Sequence, residues 1–254
     1  MRPILLVALI GAALPATAQT DTGGNVLSFE AGLGVQSAPT YFGSATTETG
    51  ATGSFAFGRL SWGNLCLGCD ESDGLSLTGS FRYIGERPAG EEEVPDGLTV
   101  EPRFTFGAVD AAVELGGGLS YTTPGFEGFA VVRRGFGGHE GYVAELGGDL
   151  VIAATDALTV KAGPRLLAGD DTFARTYFST SGGPFEVGSF DAEGGVISRG
   201  AQVSARYQLN PDWAVTATAR YDQLVGDAAS SPISEDDDQT TFSLVVSRRF
   251  DIRF

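Results

Sequence analysis

Apolar and polar residues alternate in short, separated stretches along most of this chain. From Asn25 to Gln36, Leu27, Phe29, Ala31, Leu33 and Val35 fall on one side of an extended backbone, and Ser28, Glu30, Gly32 and Gly34 on the other. Side chains of a strand point to alternate faces, so such a stretch predicts a strand with one apolar and one polar face. Thr52 to Trp62 resumes the pattern with Phe55 and Phe57. Further along, Leu75, Leu77, Phe81 and Tyr83 alternate with Ser76, Thr78, Ser80 and Arg82. Ala111 to Tyr121, Tyr142 to Ile152, Leu158 to Leu166, Ile197 to Tyr207 and Trp213 to Tyr221 repeat it. Alternation is less clean in FEGFAVVRRGF, residues 126–136. The final stretch, Thr240 to Phe254, is the clearest. Phe242, Leu244, Val246, Arg248, Phe250, Ile252 and Phe254 share one face, and Arg248 is its one polar member.

The connections alternate in length. Thr123 to Gly125, Ala154 to Asp156 and Asn210 to Asp212 are tight turns; 135–140, 170–194 and 226–238 are longer. Amphipathic strands of about ten residues joined alternately by short and long connections predict an all-β, antiparallel transmembrane β-barrel. A water-soluble barrel would turn the apolar face inward, and periodicity alone leaves that open. If 86–108 is one long loop the count is about ten strands, the reading taken here; a hairpin there, or within 60–72, gives twelve. Leu98 to Phe106 reads as strand or loop, and Gly169 to Gly195 as irregular. With the apolar face outward, Glu30, Arg82, Glu114, Glu145, Asp149, Lys161, Arg165, Arg206, Arg220, Asp222, Arg249, Asp251 and Arg253 point into the lumen. Arg248 then reaches the periplasmic headgroups or marks a β-bulge.

The N-terminus supplies the compartment. Arg2, the apolar run Ile4 to Leu14 and Ala16-Thr17-Ala18 have the form of a secretory signal peptide over residues 1–18. Residues 19–254 are then the barrel domain. Thirty-two acidic residues against 16 basic give a net charge of -16, which argues against nucleic-acid binding. The two cysteines, Cys66 and Cys69, have two residues between them and are too few for a four-cysteine zinc site. A local disulfide across a turn suits an oxidising compartment; two free thiols and a redox pair are the other readings. The single histidine, His139, stands beside Glu140 without partners at metal-ligand spacing. No catalytic, cofactor or metal site is expected.

Several short blocks carry a resemblance. They are Pro39-Thr40-Tyr41-Phe42-Gly43-Ser44, Gly137-Gly138-His139-Glu140-Gly141, Gly163-Pro164-Arg165, Arg175-Thr176-Tyr177-Phe178, Tyr207-Gln208-Leu209 with Trp213, and Gly226-Asp227-Ala228-Ala229-Ser230-Ser231-Pro232-Ile233. With them the chain resembles the MltA-interacting protein (MipA) / OmpV family of outer-membrane proteins. The resemblance implies a non-enzymatic barrel whose motif residues lie in loops: Pro39, Tyr41, Gly43, His139, Gly141, Tyr177, Phe178, Asp227, Ser231 and Pro232. It also implies a scaffold for a periplasmic murein hydrolase and synthase, or alternatively a narrow porin-like channel or an adhesin. The closing stretch resembles that of other outer-membrane barrels, which implies that Phe254 is read by the barrel-assembly machinery. Outer-membrane lipid and lipopolysaccharide are the remaining expected partners.

Overall fold

The computed structural model describes residues 25–62, 65–67, 74–91, 104–182 and 189–254. Ten long strands carry the fold: β1 Val26–Pro39, β2 Thr47–Trp62, β3 Gly74–Ile84, β4 Ala112–Thr123 and β5 Phe126–Gly137 come first. Then follow β6 Tyr142–Ala153, β7 Leu158–Gly169, β8 Gly195–Gln208, β9 Trp213–Leu224 and β10 Asp238–Arg253. From β3 to β10 each strand pairs antiparallel with the next, β10 pairs with β1, and β1 with β2. The curl of the sheet brings its end strands β2 and β3 within 8 Å of each other. Ten strands is the expected count; within 60–72 the short piece Leu65–Leu67 pairs antiparallel with the end of β2. Within 86–108 the described residues hold only short pieces: Arg87 bridges Val109, and Gly90–Glu91 pairs with Phe104–Phe106, itself paired with Ser181–Gly182. The expected signal peptide falls outside the described residues, as does Cys69 of the expected Cys66–Cys69 disulfide.

Turn chemistry sets the short connections. The Asn210 side-chain oxygen accepts from the backbone N–H groups of Asp212 and Trp213, both at 3.0 Å, closing an Asx turn. Thr155 Oγ1 does the same for Ala157 and Leu158. Gly125 holds φ 85, a backbone that glycine adopts without steric cost. At the same end Asn25 and Phe254 exchange two backbone hydrogen bonds, so the last residue is pinned to the start of β1. The register Leu27↔Ile252 to Val35↔Leu244 pairs β1 with β10 as their matching patterns require.

The outward face is apolar. Leu33, Leu75 and Leu150 are 74%, 69% and 64% exposed, whereas Glu114 is 0% exposed inside the curl. That inversion settles the face that periodicity left open. Exposed leucines ringing a sheet need hydrocarbon around them, and the polar face lines a lumen. Arg248 is the outward exception. It pairs regularly with Ala31 on one side and Trp213 on the other, so the expected bulge is absent there. Register shifts lie instead between Ser28 and Phe29, against β2, and between Leu167 and Ala168, against β8. The Arg248 guanidinium lies 5.5 Å over the Trp213 ring and 5.2 Å over the Phe250 ring. Trp213 opens β9 just after the Asx turn, so the cation sits at the turn-side boundary of the apolar band. Arg248→Ala is expected to cost about 0.5–1 kcal/mol, the worth of an exposed cation–π contact. Urea unfolding of protein folded into lipid vesicles measures it.

Candidate functional site: a capped, ion-paired lumen

The described parts of the long connections fold together over one mouth. The β7–β8 connection, expected to be irregular, holds helix α1, Asp171–Phe178. Asp170 caps it, its Oδ1 accepting from Phe173 N–H at 2.9 Å, and Asp171 adds charge to the first turn. Eight residues are too few for a stable helix in isolation. This one stands because Phe173, Ala174, Tyr177 and Phe178 are buried on one face. They pack against Val143, Leu167, Ile197, Leu224 and Ala228, the last from the short helix α2, Asp227–Ser230. Phe42, from the β1–β2 connection, contributes edge contacts to Tyr177 at 5.2 Å and Phe173 at 5.7 Å.

Most of the motif residues meet here. Tyr41 donates its hydroxyl to Glu235, and burial with the nearby Glu235 carboxylate pushes that hydroxyl's pKa up. Gly43 has φ 88, its carbonyl accepts from Glu235 and Asp236 N–H, and a side chain would strike Ser234. Ser231 Oγ donates to the Phe178 carbonyl, tying the β9–β10 connection to the end of α1. Asp227 accepts from Glu193 N–H at 2.8 Å. Gly141 lies against Asp170 and Phe173, where a Cβ would come within 2.5 Å of the Asp170 carboxylate. Burial pushes the Tyr177 hydroxyl far above its ordinary pKa, so it stays protonated. Pro39 instead ends β1, and Pro232 is an exposed turn residue between buried Ser231 and Ile233. Phe254 is 61% exposed at the opposite end.

His139 joins the cap to the lumen. Its ring is 2% exposed and stands edge-on to Phe173 at 5.1 Å and near Tyr177 at 5.5 Å. Its Nε2 lies 3.3 Å from Glu114 Oε1, without the alignment of a hydrogen bond. Gly135 makes the room: a Cβ there would sit 2.2 Å from the imidazole Cε1. Gly135→Ala is therefore expected to push His139 out of place and cost about 1–3 kcal/mol by overpacking. The shift in urea midpoint of the folded barrel reads it.

Below His139 an ion-paired belt crosses the lumen. Arg82 meets Glu114 at 2.6 Å, and Arg133 bridges Glu114 and Glu145, both at 2.8 Å. Arg220 reaches Glu145 at 2.7 Å and Asp222 at 2.5 Å. Three guanidinium groups thus face three carboxylates. Further toward the turns, Arg165 forks onto Asp149 with two bonds of 2.9 Å, Lys161 pairs with Glu127, and Arg206 forks onto Glu30. A polar chamber of about 520 Å³ lies among these residues.

The alternation identified most of this set and missed three members. Arg133 and Glu127 lie on β5, where Arg133-Arg134 and Val131-Val132 blur the two-residue period. Arg134 instead points outward, its guanidinium 5.5 Å over the Phe136 ring. Arg87 belonged to a stretch read as loop. It is 3% exposed and donates to the Tyr177, Thr176 and Gly107 carbonyls, so it closes the C-terminus of α1. Burial lowers its pKa, although Tyr177 and Tyr41 oppose the shift. Arg87→Met is expected to loosen α1 by about 1.5–3 kcal/mol, the worth of charge-assisted hydrogen bonds. Local hydrogen exchange of residues 171–178 is the readout.

A family model described as MltA-interacting protein MipA matches residues 31–250. The chain belongs to the MipA family. No curated protein matches the sequence. Among solved structures, this MipA-family chain is similar to an outer-membrane channel from Pseudomonas putida F1, at 13% identity and TM-score 0.43, covering 94% of this chain and 100% of that one. It is also similar to the CymD monoaromatic hydrocarbon channel, at 12% identity and TM-score 0.33, covering 92% and 89%. A third is the outer membrane protein OprG from Pseudomonas aeruginosa, at 10% identity and TM-score 0.28, covering 90% and 98%.

Proposed function

We propose that this MipA-family barrel is a closed, non-enzymatic platform in the outer membrane that holds cell-wall (murein) enzymes at its periplasmic side. The observation that carries the reading is the filling of the lumen: an aromatic cap over a belt of paired charges. A lumen so filled supports attachment better than passage. His139, the chain's one imidazole, is enclosed by Phe173, Tyr177 and Gly135, which supports a structural rather than a catalytic role. The family description itself names an interaction with MltA, which supports a murein enzyme as partner. In this reading residues 1–18 direct export, Phe254 is the assembly signal, and Cys66 and Cys69 form a disulfide. The turns face the periplasm, and the cap faces out toward lipopolysaccharide. Crosslinking in intact envelopes followed by purification of the tagged barrel tests it. A murein hydrolase or synthase is expected among the captured proteins, and absence of both would defeat the platform reading. The polar chamber favours a second reading, a narrow channel for small solutes.

A further inference from the structure

We propose that the chamber below the belt binds a small, uncharged, polyhydroxylated solute, such as a mono- or disaccharide, entering from the turn side. At about 520 Å³ it is within the range of ligand pockets, about 300–1,000 Å³. Its two walls differ in kind. On one, Gln202 and Ser204 of β8 face Thr216 and Thr218 of the adjoining β9, with Ser204 and Thr218 direct cross-strand partners. These four side chains are half-buried and hydrogen-bond to no other group among the described residues. Polar groups withdrawn from bulk water gain from a ligand that supplies donors and acceptors at once, as hydroxyls do.

The other wall carries Phe129 of β5, a large aromatic ring aimed into a polar lumen. Its ring lies over Gly147, where a Cβ would meet Phe129 Cε1 at 2.4 Å, and Arg165 stacks 5.1 Å from its centroid. An apolar ring surface opposite convergent hydrogen-bonding groups is the arrangement that holds a sugar ring, apolar on its C–H face and polar at its rim.

The ion pairs set the charge preference. Arg82, Arg133, Lys161, Arg165 and Arg220 all line the chamber, and each is already paired with a carboxylate. An anionic solute would have to break one of these pairs and leave a buried or half-buried carboxylate exposed to like charge. An uncharged solute does not. The direction of entry rests on the closed-mouth reading above; the binding chemistry does not.

Titration calorimetry on the full-length protein in sugar-free amine-oxide micelles, with glucose, maltose and N-acetylglucosamine as probes and gluconate as the anionic control, tests the proposal. Saturable millimolar binding of at least one sugar is expected, with gluconate at least tenfold weaker. Phe129→Ala and, separately, the near-isosteric Thr218→Val with Ser204→Ala are each expected to weaken sugar binding tenfold or more. The second variant keeps the packing if Phe129→Ala fails to fold. No saturation with any of the three sugars, equal binding of gluconate, or undiminished binding in the folded variants would overturn it. Open conductance steps without sugar would defeat the closed-mouth reading alone.

Discussion

Replacing Arg133 with alanine is expected to destabilise the folded barrel by about 3 kcal/mol, the low end of the cost of breaking a buried ion pair. Arg133 is 3% exposed and binds three groups: Glu114, Glu145 and the Ser80 hydroxyl at 3.0 Å. Its removal leaves Glu114 with Arg82 and Glu145 with Arg220, so neither carboxylate is wholly abandoned. That residual pairing, together with water entering from the chamber, places the cost at the low end. Arg133→Lys keeps the charge but cannot bridge two carboxylates with one planar fork, so it is expected to fall between wild type and alanine. Urea unfolding in lipid vesicles gives the values. An Arg133→Ala midpoint indistinguishable from wild type would show that the belt adds nothing to stability.

Phe173→Ala acts on the cap rather than the barrel wall. Phe173 is 0% exposed and touches His139, Tyr177, Phe42 and Phe178. Truncating a fully buried phenylalanine costs about 3–5 kcal/mol. Helix α1 depends on this buried face, since its length alone does not sustain it. The expected result is local: residues 171–178 and 226–234 lose hydrogen-exchange protection while β4 to β9 keep theirs. Loss of protection throughout the strands would mean that the cap and wall fold as one unit.

Two-residue periodicity was enough to place the ten strands and to sort most luminal charges from lipid-facing residues. It worked because each strand has one face in hydrocarbon and one in a polar lumen, so burial and alternation coincide. It failed where other forces set the structure. Helix α1 is too short to show a helical period and is held by contacts with residues far away in sequence. Arg87 takes its role from the helix end it reaches, not from its own neighbours. The doublets of β5 hid Arg133. At Arg248 the alternation was right about the face but could not show that Trp213 and Phe250 would receive the cation. The motif blocks at 39–44, 137–141, 175–178 and 226–233 were visible as separate loops; only the fold shows that they build one cap.

Planar-bilayer conductance of the purified protein tests the proposed closed lumen most directly. Wild type is expected to show no stable open steps, and Phe173→Ala is expected to show them as the cap detaches. Stable open steps from the wild-type protein would contradict the account.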